Sequence, residues 1–346
     1  MGVCYDRNEK NSNKNNKESR FFWTYFCCIY FKYCEMKKIF GLLLITSLYF
    51  VSCSKDDVEP EKVYQLAKQE IDIAYGSDPL QKMDIYFPEG FNQSTSVVFL
   101  IHGGGFIAGT KEDFMNVAKL FMAKGFIAVN LSHRLVNATG LDQNPPLHQP
   151  SVIKVIDQVD DIALAVNKYI VVATDWGSGT SRMYMAGHSA GGTLAMLYVQ
   201  GTKNQDVRAS GNFAGLANVT LSEELYNNPP DHEYWPAVKE LLYRMSGAEV
   251  NQGTALALMA ISPNWVSTNN KPAKPNITVM AKTNDKDLRF EPYFNTVKDA
   301  ENYHNQLRSY GTSSVYTLMD TDHGFGNHPD DWAKAVNYTV DFFKKN

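Results

Sequence analysis

Gly187-His188-Ser189-Ala190-Gly191-Gly192 is the stretch on which the reading of this chain turns. It fits the pattern G-x-S-x-G. Before it, Arg182-Met183-Tyr184-Met185-Ala186 reads as a short buried strand; after it, Thr193-Leu194-Ala195-Met196-Leu197-Tyr198-Val199 reads as an apolar helix. A serine in that setting stands at the tip of a sharp strand-to-helix turn, with its hydroxyl exposed and a helix N-terminus beneath it. Glycines at 187 and 191 are needed because a side chain at either place would meet the neighbouring strand or helix. Five common residues also recur by chance, so the rest of the chain has to supply the partner groups at matching places.

Working outward, the body is organised as strands and helices in alternation. Lys68 to Ala74 and Gln81 to Phe87 are strand-like runs around Tyr75-Gly76-Ser77-Asp78-Pro79, a hairpin. Val97-Val98-Phe99-Leu100-Ile101 is a continuous apolar run of the kind buried on both faces. A helix is expected over 111–124, a buried strand over 126–131, a loop with three prolines over 136–150 and a helix over 151–171. Strand 207–213 follows the serine turn. Residues 216–270, rich in Asn, Pro and aromatics, fit no simple alternation apart from a helix near 235–246. Strand 277–281, helix 294–309, strand 314–319 and helix 329–344 complete the chain. An opening hairpin followed by strand-helix repeats predicts an α/β fold, a mostly parallel central sheet with helices on both faces, and 216–270 as a small insertion or cap over one end.

The N-terminal part reads differently. All five cysteines, Cys4, Cys27, Cys28, Cys34 and Cys53, lie in the first 53 residues, which excludes a disulfide framework, a cysteine metal site and a catalytic thiol from the body. Residues 21–34 are aromatic but fall short of the roughly 20 apolar residues a bilayer span needs. Met36, Lys37 and Lys38, then the apolar run Ile39 to Val51, then Ser52-Cys53, have the layout of a secretory signal peptide. Ending on Cys53, it resembles a bacterial lipoprotein signal, and Ser54-Lys55-Asp56-Asp57 resembles the acidic export tag of surface lipoproteins in the Bacteroides group. The expected organisation is therefore an upstream extension over 1–35, outside the native chain or disordered, a signal over 36–53 with Cys53 lipidated, a tether over 54–61 and the globular domain over 62–346. The expected location is the bacterial outer membrane, facing outward, with a periplasmic or secreted protein as the alternative. Residues 1–53 carry 8 Lys/Arg against 4 Asp/Glu, leaving 25 against 33 afterwards; so mildly acidic a body, without a basic patch, argues against a nucleic-acid partner.

Three further pieces fall where acyl-transfer chemistry needs them. His102-Gly103-Gly104-Gly105-Phe106 follows the strand 97–101, and successive glycines let bare backbone N–H groups face a developing oxyanion. Asp285 lies just past strand 277–281, where a carboxylate can orient an imidazole; Asp287, two residues on, competes with it. His323, in Asp322-His323-Gly324-Phe325 after strand 314–319, has the side chain that can take a serine proton at neutral pH and return it to a leaving group. His328, beside Pro329, reads as a helix cap. The order Ser189…Asp285…His323 differs from those of chymotrypsin and subtilisin.

HGGGF (102–106), GHSAGG (187–192), an acid after the penultimate strand and DHGF (322–325) together resemble the hormone-sensitive-lipase and feruloyl/acetyl-esterase-like α/β-hydrolases. YGSDPLQKMDIYFP (75–88), NLSHRL (130–135) and ISPNW (261–265) are similar to the same group, and the resemblance runs from about 70 to 345. It departs at Lys282-Thr283, where relatives commonly carry His-Gly, and at His133, where many carry Tyr. The resemblance implies the α/β-hydrolase fold and the N–H groups of Gly104, Gly105 and Ala190 as oxyanion donors. Joined to the residues above, it makes a serine carboxylesterase the expectation, with no metal or cofactor and with a small-molecule or glycan ester as substrate, acetylated or feruloylated glycans among them. The membrane is met only through the lipid anchor. A serine peptidase of the same fold and a non-catalytic binding protein are the alternatives. His188 and His102 read as packed neighbours of the site, Asp160 and Asp161 as structural, and the aromatics of 226–243 equally as a substrate platform or the insertion's own core.

Overall fold

The computed structural model describes residues 66–201, 206–221, 233–251, 255–282 and 296–346, all within one compact unit, Val63–Asn346. Cys53, the signal 36–53, the tether 54–61 and both candidate acids, Asp285 and Asp287, lie outside the described residues.

Strand β3 (Val97–Ile101) shows how the sequence makes the core. Its five apolar residues are fully buried, and alternate side chains point to opposite faces. Val97, Phe99 and Ile101 join one apolar cluster, while Val98 and Leu100 join another. β4 (Ile127–Leu131) and β5 (Met183–His188) flank β3 in parallel and repeat the division: Val129 and Met185 face one way, Ala128 and Tyr184 the other. Burial of each large side chain contributes about 1.5–3 kcal/mol. With β1 (Lys68–Ala74), β2 (Lys82–Phe87), β6 (Val207–Phe213), β7 (Asn276–Ala281) and β8 (Ser314–Met319), the sheet runs β1-β2-β4-β3-β5-β6-β7-β8. β2 is antiparallel to both neighbours, and the remaining pairs are parallel. The mostly parallel sheet expected from the sequence is present.

Helices α1 (Lys111–Ala123) and α2 (Val155–Val172) take opposite faces. Phe114, Val117, Ala118 and Phe121 of α1 join the cluster around Val98; Ile162, Ala165, Val166 and Tyr169 of α2 join the cluster around Phe99. α3 (Ala190–Gly201) follows β5 directly and is buried almost all round, as an apolar helix at the centre of a fold must be. α8 (Asp331–Lys345) closes the α1 face with Val336, Val340 and Phe343.

Two sequence expectations shift. The helix expected over 151–171 starts at Val155: the Asp157 carboxylate accepts the Lys154 backbone N–H at 2.8 Å, which fixes the first turn there and leaves Val152 91% exposed. The insertion holds more helix than the sequence signals: α4 (Trp235–Ser246) is the expected one, and α5 (Ala255–Met259) and α6 (Pro263–Asn269) add to it before α7 (Thr296–Ser309) resumes the alternation. Asp161 is structural, as expected. Fully buried, it accepts the Arg134 backbone N–H and Nε, both at 2.9 Å, and Gln81 Nε2 at 2.7 Å, which pins the segment after β4 to α2.

Candidate active site

At the end of β5 the chain turns through Ser189, whose φ of 52° lies in the left-handed region. For a residue with a Cβ that conformation costs about 1–3 kcal/mol and persists only where the surroundings over-determine it. They do so here. The Ser189 N–H donates to Phe213 O at 2.8 Å, and the Ser189 carbonyl accepts the Gly192 and Thr193 N–H groups at 2.9 and 3.2 Å. The glycines leave no slack: a Cβ on Gly191 would lie 2.3 Å from the carbonyl oxygens of Ile101 and His102, and one on Gly187 would lie 2.2 Å from Gly191 O. The elbow is thus pressed against the end of β3, the strand that feeds the second glycine run.

In that run Gly104 has φ of 115° and a Cβ there would meet Ala108 O, so only glycine fits. Its carbonyl accepts the N–H groups of Ile107 (3.1 Å) and Ala108 (3.0 Å), which closes the turn. The run lies against the serine, with the Cβ position of Gly103 3.2 Å from Ser189 Cβ. Gly105, Ser189 and Ala190 line one cavity, so two of the three expected oxyanion residues share a space with the hydroxyl-bearing residue. Gly104 is adjacent in the chain and lines a second cleft with His102, Asp113 and Trp332. Ala190 opens α3, where the first N–H groups of a helix have no intrahelical partner.

Two histidines underpin the glycine run. His102 Nδ1 donates to Gly103 O at 2.7 Å and His133 Nδ1 donates to Arg134 O at 2.9 Å; the rings stack with centroids 4.4 Å apart, 6° from parallel. Burial lowers the pKa of both, with His133 pushed down to about 3 by burial and by the His102 charge it would face. Both are neutral props of the loop, and the stack accounts for a histidine at 133.

His323 lies in the turn after β8. The neighbouring His188 donates Nε2–H to His323 O at 2.7 Å, which places residue 323 beside the elbow with ring centroids 5.0 Å apart. His188, enclosed by Phe114, Phe325 and Trp332, is held neutral, its pKa pushed down to about 4 by burial and by His323. The turn is braced from within: Gly326 N–H donates to Asp322 Oδ1 at 2.7 Å and Phe325 N–H to Asp322 O at 3.0 Å. Burial lowers the His323 pKa, partly opposed by Asp322, which favours the neutral imidazole. His328 is not the cap that the sequence suggests: Asp330 holds the N-cap position of α8, and His328, two residues before it, donates its backbone N–H to Asp331 Oδ2 at 2.9 Å.

The feature that sequence reading missed is the wall opposite Ser189. Val238, Leu241, Leu242 and Met245 of α4, with Leu216 and Val219, complete the cavity and make it apolar. The spacing 238/241/242/245 is one face of a helix, a signal present in the sequence but obscured by the aromatics around it. Those aromatics do other work: Tyr243 stacks on His148, 4.7 Å between centroids, and Trp235 packs against the core. Among the described residues no group of three or more His, Cys, Asp or Glu is placed to hold a metal ion. Ser189 and the backbone of Gly105 and Ala190 line one apolar cavity at the C-terminal edge of a parallel sheet, with the His323 segment bonded to the residue beside the serine; acyl transfer through an oxyanion requires a serine, an imidazole and such donors.

The family model BD-FAE matches residues 83–225, which carry the hairpin's second strand, both glycine turns and the start of the insertion. The chain is 23% identical over 269 residues to a kynurenine formamidase of Danio rerio, covering 76% of this chain and 77% of that protein. Esterase B from Lactobacillus rhamnosis superposes with a TM-score of 0.59 at 16% identity, over 81% of this chain and 88% of that one. A truncated carbohydrate esterase from gut microbiota does so with a TM-score of 0.61 at 15% identity, over 82% and 97%. The fold these structures share with the chain is the α/β-hydrolase fold.

Proposed function

We propose that this chain, an α/β-hydrolase by fold and by its BD-FAE match, is a serine carboxylesterase. The observation that carries the reading is that Ser189, held in a left-handed turn, shares one apolar cavity with Gly105 and Ala190 while the His323 segment is bonded to the residue beside it. In the proposed reaction Ser189 Oγ attacks the ester carbonyl and His323 takes its proton. The N–H groups of Gly104, Gly105 and Ala190 receive the oxyanion; each such donor contributes about 10²–10³ in rate. Collapse of the intermediate expels the alcohol, protonated by His323, and leaves the acyl group on Ser189. Water, deprotonated by the same imidazole, then releases the acid. Asp285 is proposed to orient His323 and to stabilise its charged form.

The test is hydrolysis of p-nitrophenyl acetate beside a peptide p-nitroanilide. Turnover of the ester alone supports the esterase; turnover of both favours a peptidase on the same fold; turnover of neither favours a binding protein. A glycan as the alcohol is the proposed natural setting, supported by the likeness to the carbohydrate esterase and by the lipoprotein-like signal ending at Cys53. If Cys53 is the lipidated anchor, the protein made from Met36 in a Bacteroides host labels with a palmitate analogue and the Cys53→Ala variant does not. Equal labelling of the two rules the anchor out.

A further inference from the structure

The cavity on Ser189 has a size and a wall that bear on which acyl group it accepts. It measures about 50 Å³. An apolar cavity that holds a benzene ring measures about 150 Å³, so this space suits a few carbons and falls well short of an aryl group. Apart from the backbone of Gly105, Ser189 and Ala190, the described lining is aliphatic or aromatic, and α4 supplies four of its side chains, all at most 7% exposed.

What sets the depth is the position of α4, and that position is fixed from behind by Arg244. Arg244 is fully buried, and its guanidinium donates Nε–H to Glu240 Oε1 at 2.7 Å, Nη1–H to Asn137 O at 2.8 Å and to Thr139 O at 2.9 Å, and Nη2–H to Leu147 O. Glu240 adds a link of its own: it accepts the Gln149 backbone N–H at 3.1 Å and pairs with His148 Nδ1 at 2.8 Å. The planar fork of an arginine thus clamps one face of the helix to loop 136–150, while the face carrying Val238, Leu241, Leu242 and Met245 points at the serine. A helix so tied cannot retreat to admit a longer chain without breaking several buried hydrogen bonds at once.

The geometry points to α4 as the element that sets acyl specificity: the site takes linear, unsubstituted acyl groups of two to four carbons and refuses hydroxycinnamoyl groups on the acyl side, with Arg244 as the residue that positions the wall. This rests on Ser189 being the nucleophile, and it decides between the acetyl and feruloyl groups that the sequence leaves open. Acetyl, propionyl and butyryl place one to three carbons beyond the carbonyl, within the space. A feruloyl group places a rigid vinyl-aryl unit there, far beyond it.

The experiment measures kcat/KM for p-nitrophenyl acetate, butyrate, octanoate and ferulate with the full chain and with Met245→Ala, Val238→Phe and Arg244→Lys. For the wild type, octanoate and ferulate fall at least about tenfold below butyrate, the scale on which an apolar pocket discriminates by size. Met245→Ala raises the octanoate-to-acetate ratio by about tenfold, and Val238→Phe lowers the butyrate-to-acetate ratio by a similar factor. Arg244→Lys keeps the charge but loses the fork; it raises the octanoate-to-acetate ratio and raises KM for butyrate more than it lowers kcat. Ferulate or octanoate accepted by the wild type within about threefold of acetate overturns the proposal, as do unchanged ratios in folded Met245→Ala and Val238→Phe. If a variant fails to fold, the wild-type series decides alone. If none of the esters turns over, the esterase reading fails separately, and the rates at which ethyl and octyl phosphonofluoridates modify Ser189 decide the pocket: a preference for ethyl of about tenfold supports the size limit and equal rates overturn it.

Discussion

The strand-edge frame and the insertion solve different problems with different materials. Around Ser189 the frame is built from backbone: a serine at positive φ, a glycine at φ of 115°, and carbonyls so close that Gly187 and Gly191 admit no Cβ. Across the cavity the described part of the insertion offers apolar side chains on α4, a helix tied from behind by a buried arginine. Backbone geometry is stiff and suits groups that must meet a developing charge to within a few tenths of an ångström. An aliphatic helix face can be recut by single substitutions without disturbing those groups. On the proposed function the contrast makes rate and choice of substrate separable, with the frame governing the first and α4 the second.

That separation can be broken from the frame side. Replacement of Asp285 by Asn is expected to lower kcat for every acyl length alike, by about 10²–10⁴, because an imidazole without its carboxylate loses its orientation and the partner of its charged form. Asp287→Asn is expected to change kcat less than about threefold. The opposite ranking moves the acid to 287, and a loss confined to long acyl chains breaks the separation itself. The two variants are compared by steady-state kinetics on acetate and octanoate esters.

A smaller effect sharpens the same point through pH. The proposed mechanism needs His323 neutral, and its burial disfavours the charged form, so the imidazole stays unprotonated further into the acid range than a free histidine. kcat/KM for p-nitrophenyl acetate is therefore expected to rise with pH through a midpoint below the unperturbed value of about 6.5, and to be level by neutrality. A carboxylate at Asp285 orienting the ring would move the midpoint upward; enclosure of the ring beside His188 is the opposing influence. Because α4 carries no part of the base, the midpoint is expected to be the same in Met245→Ala. A midpoint above neutrality would mean that the carboxylate outweighs burial.

The frame was legible in the sequence because its demands fall on residue types that little else requires. Glycines at 103–105, 187 and 191, beside a lone serine and at strand ends, have few other uses; the buried strand Val97–Ile101 reads directly as an uninterrupted apolar run and Ile127–Leu131 as one broken only by Asn130. The wall was not legible because Val238, Leu241, Leu242 and Met245 would look the same in any helix packed on a core. What distinguishes them is the void they face, and a void has no sequence. Arg244 was hidden for a related reason: its partners are carbonyls at 137, 139 and 147, which every residue possesses. The late start of α2 was missed because its first turn is fixed by Asp157 reaching back to Lys154, not by one of the usual capping residues at the cap itself.

The central claim is that Ser189 is the nucleophile, and covalent capture tests it most directly. The full chain is treated with a fluorophosphonate, the adduct located by peptide mass spectrometry, and ester hydrolysis followed in the same sample. The account predicts one adduct per chain, on Ser189, with hydrolysis lost in step with labelling; Ser189→Ala takes no label and retains no more than about 10⁻³ of the wild-type kcat. A label on another residue, or a Ser189→Ala variant that hydrolyses the ester within about tenfold of the wild type, would contradict it.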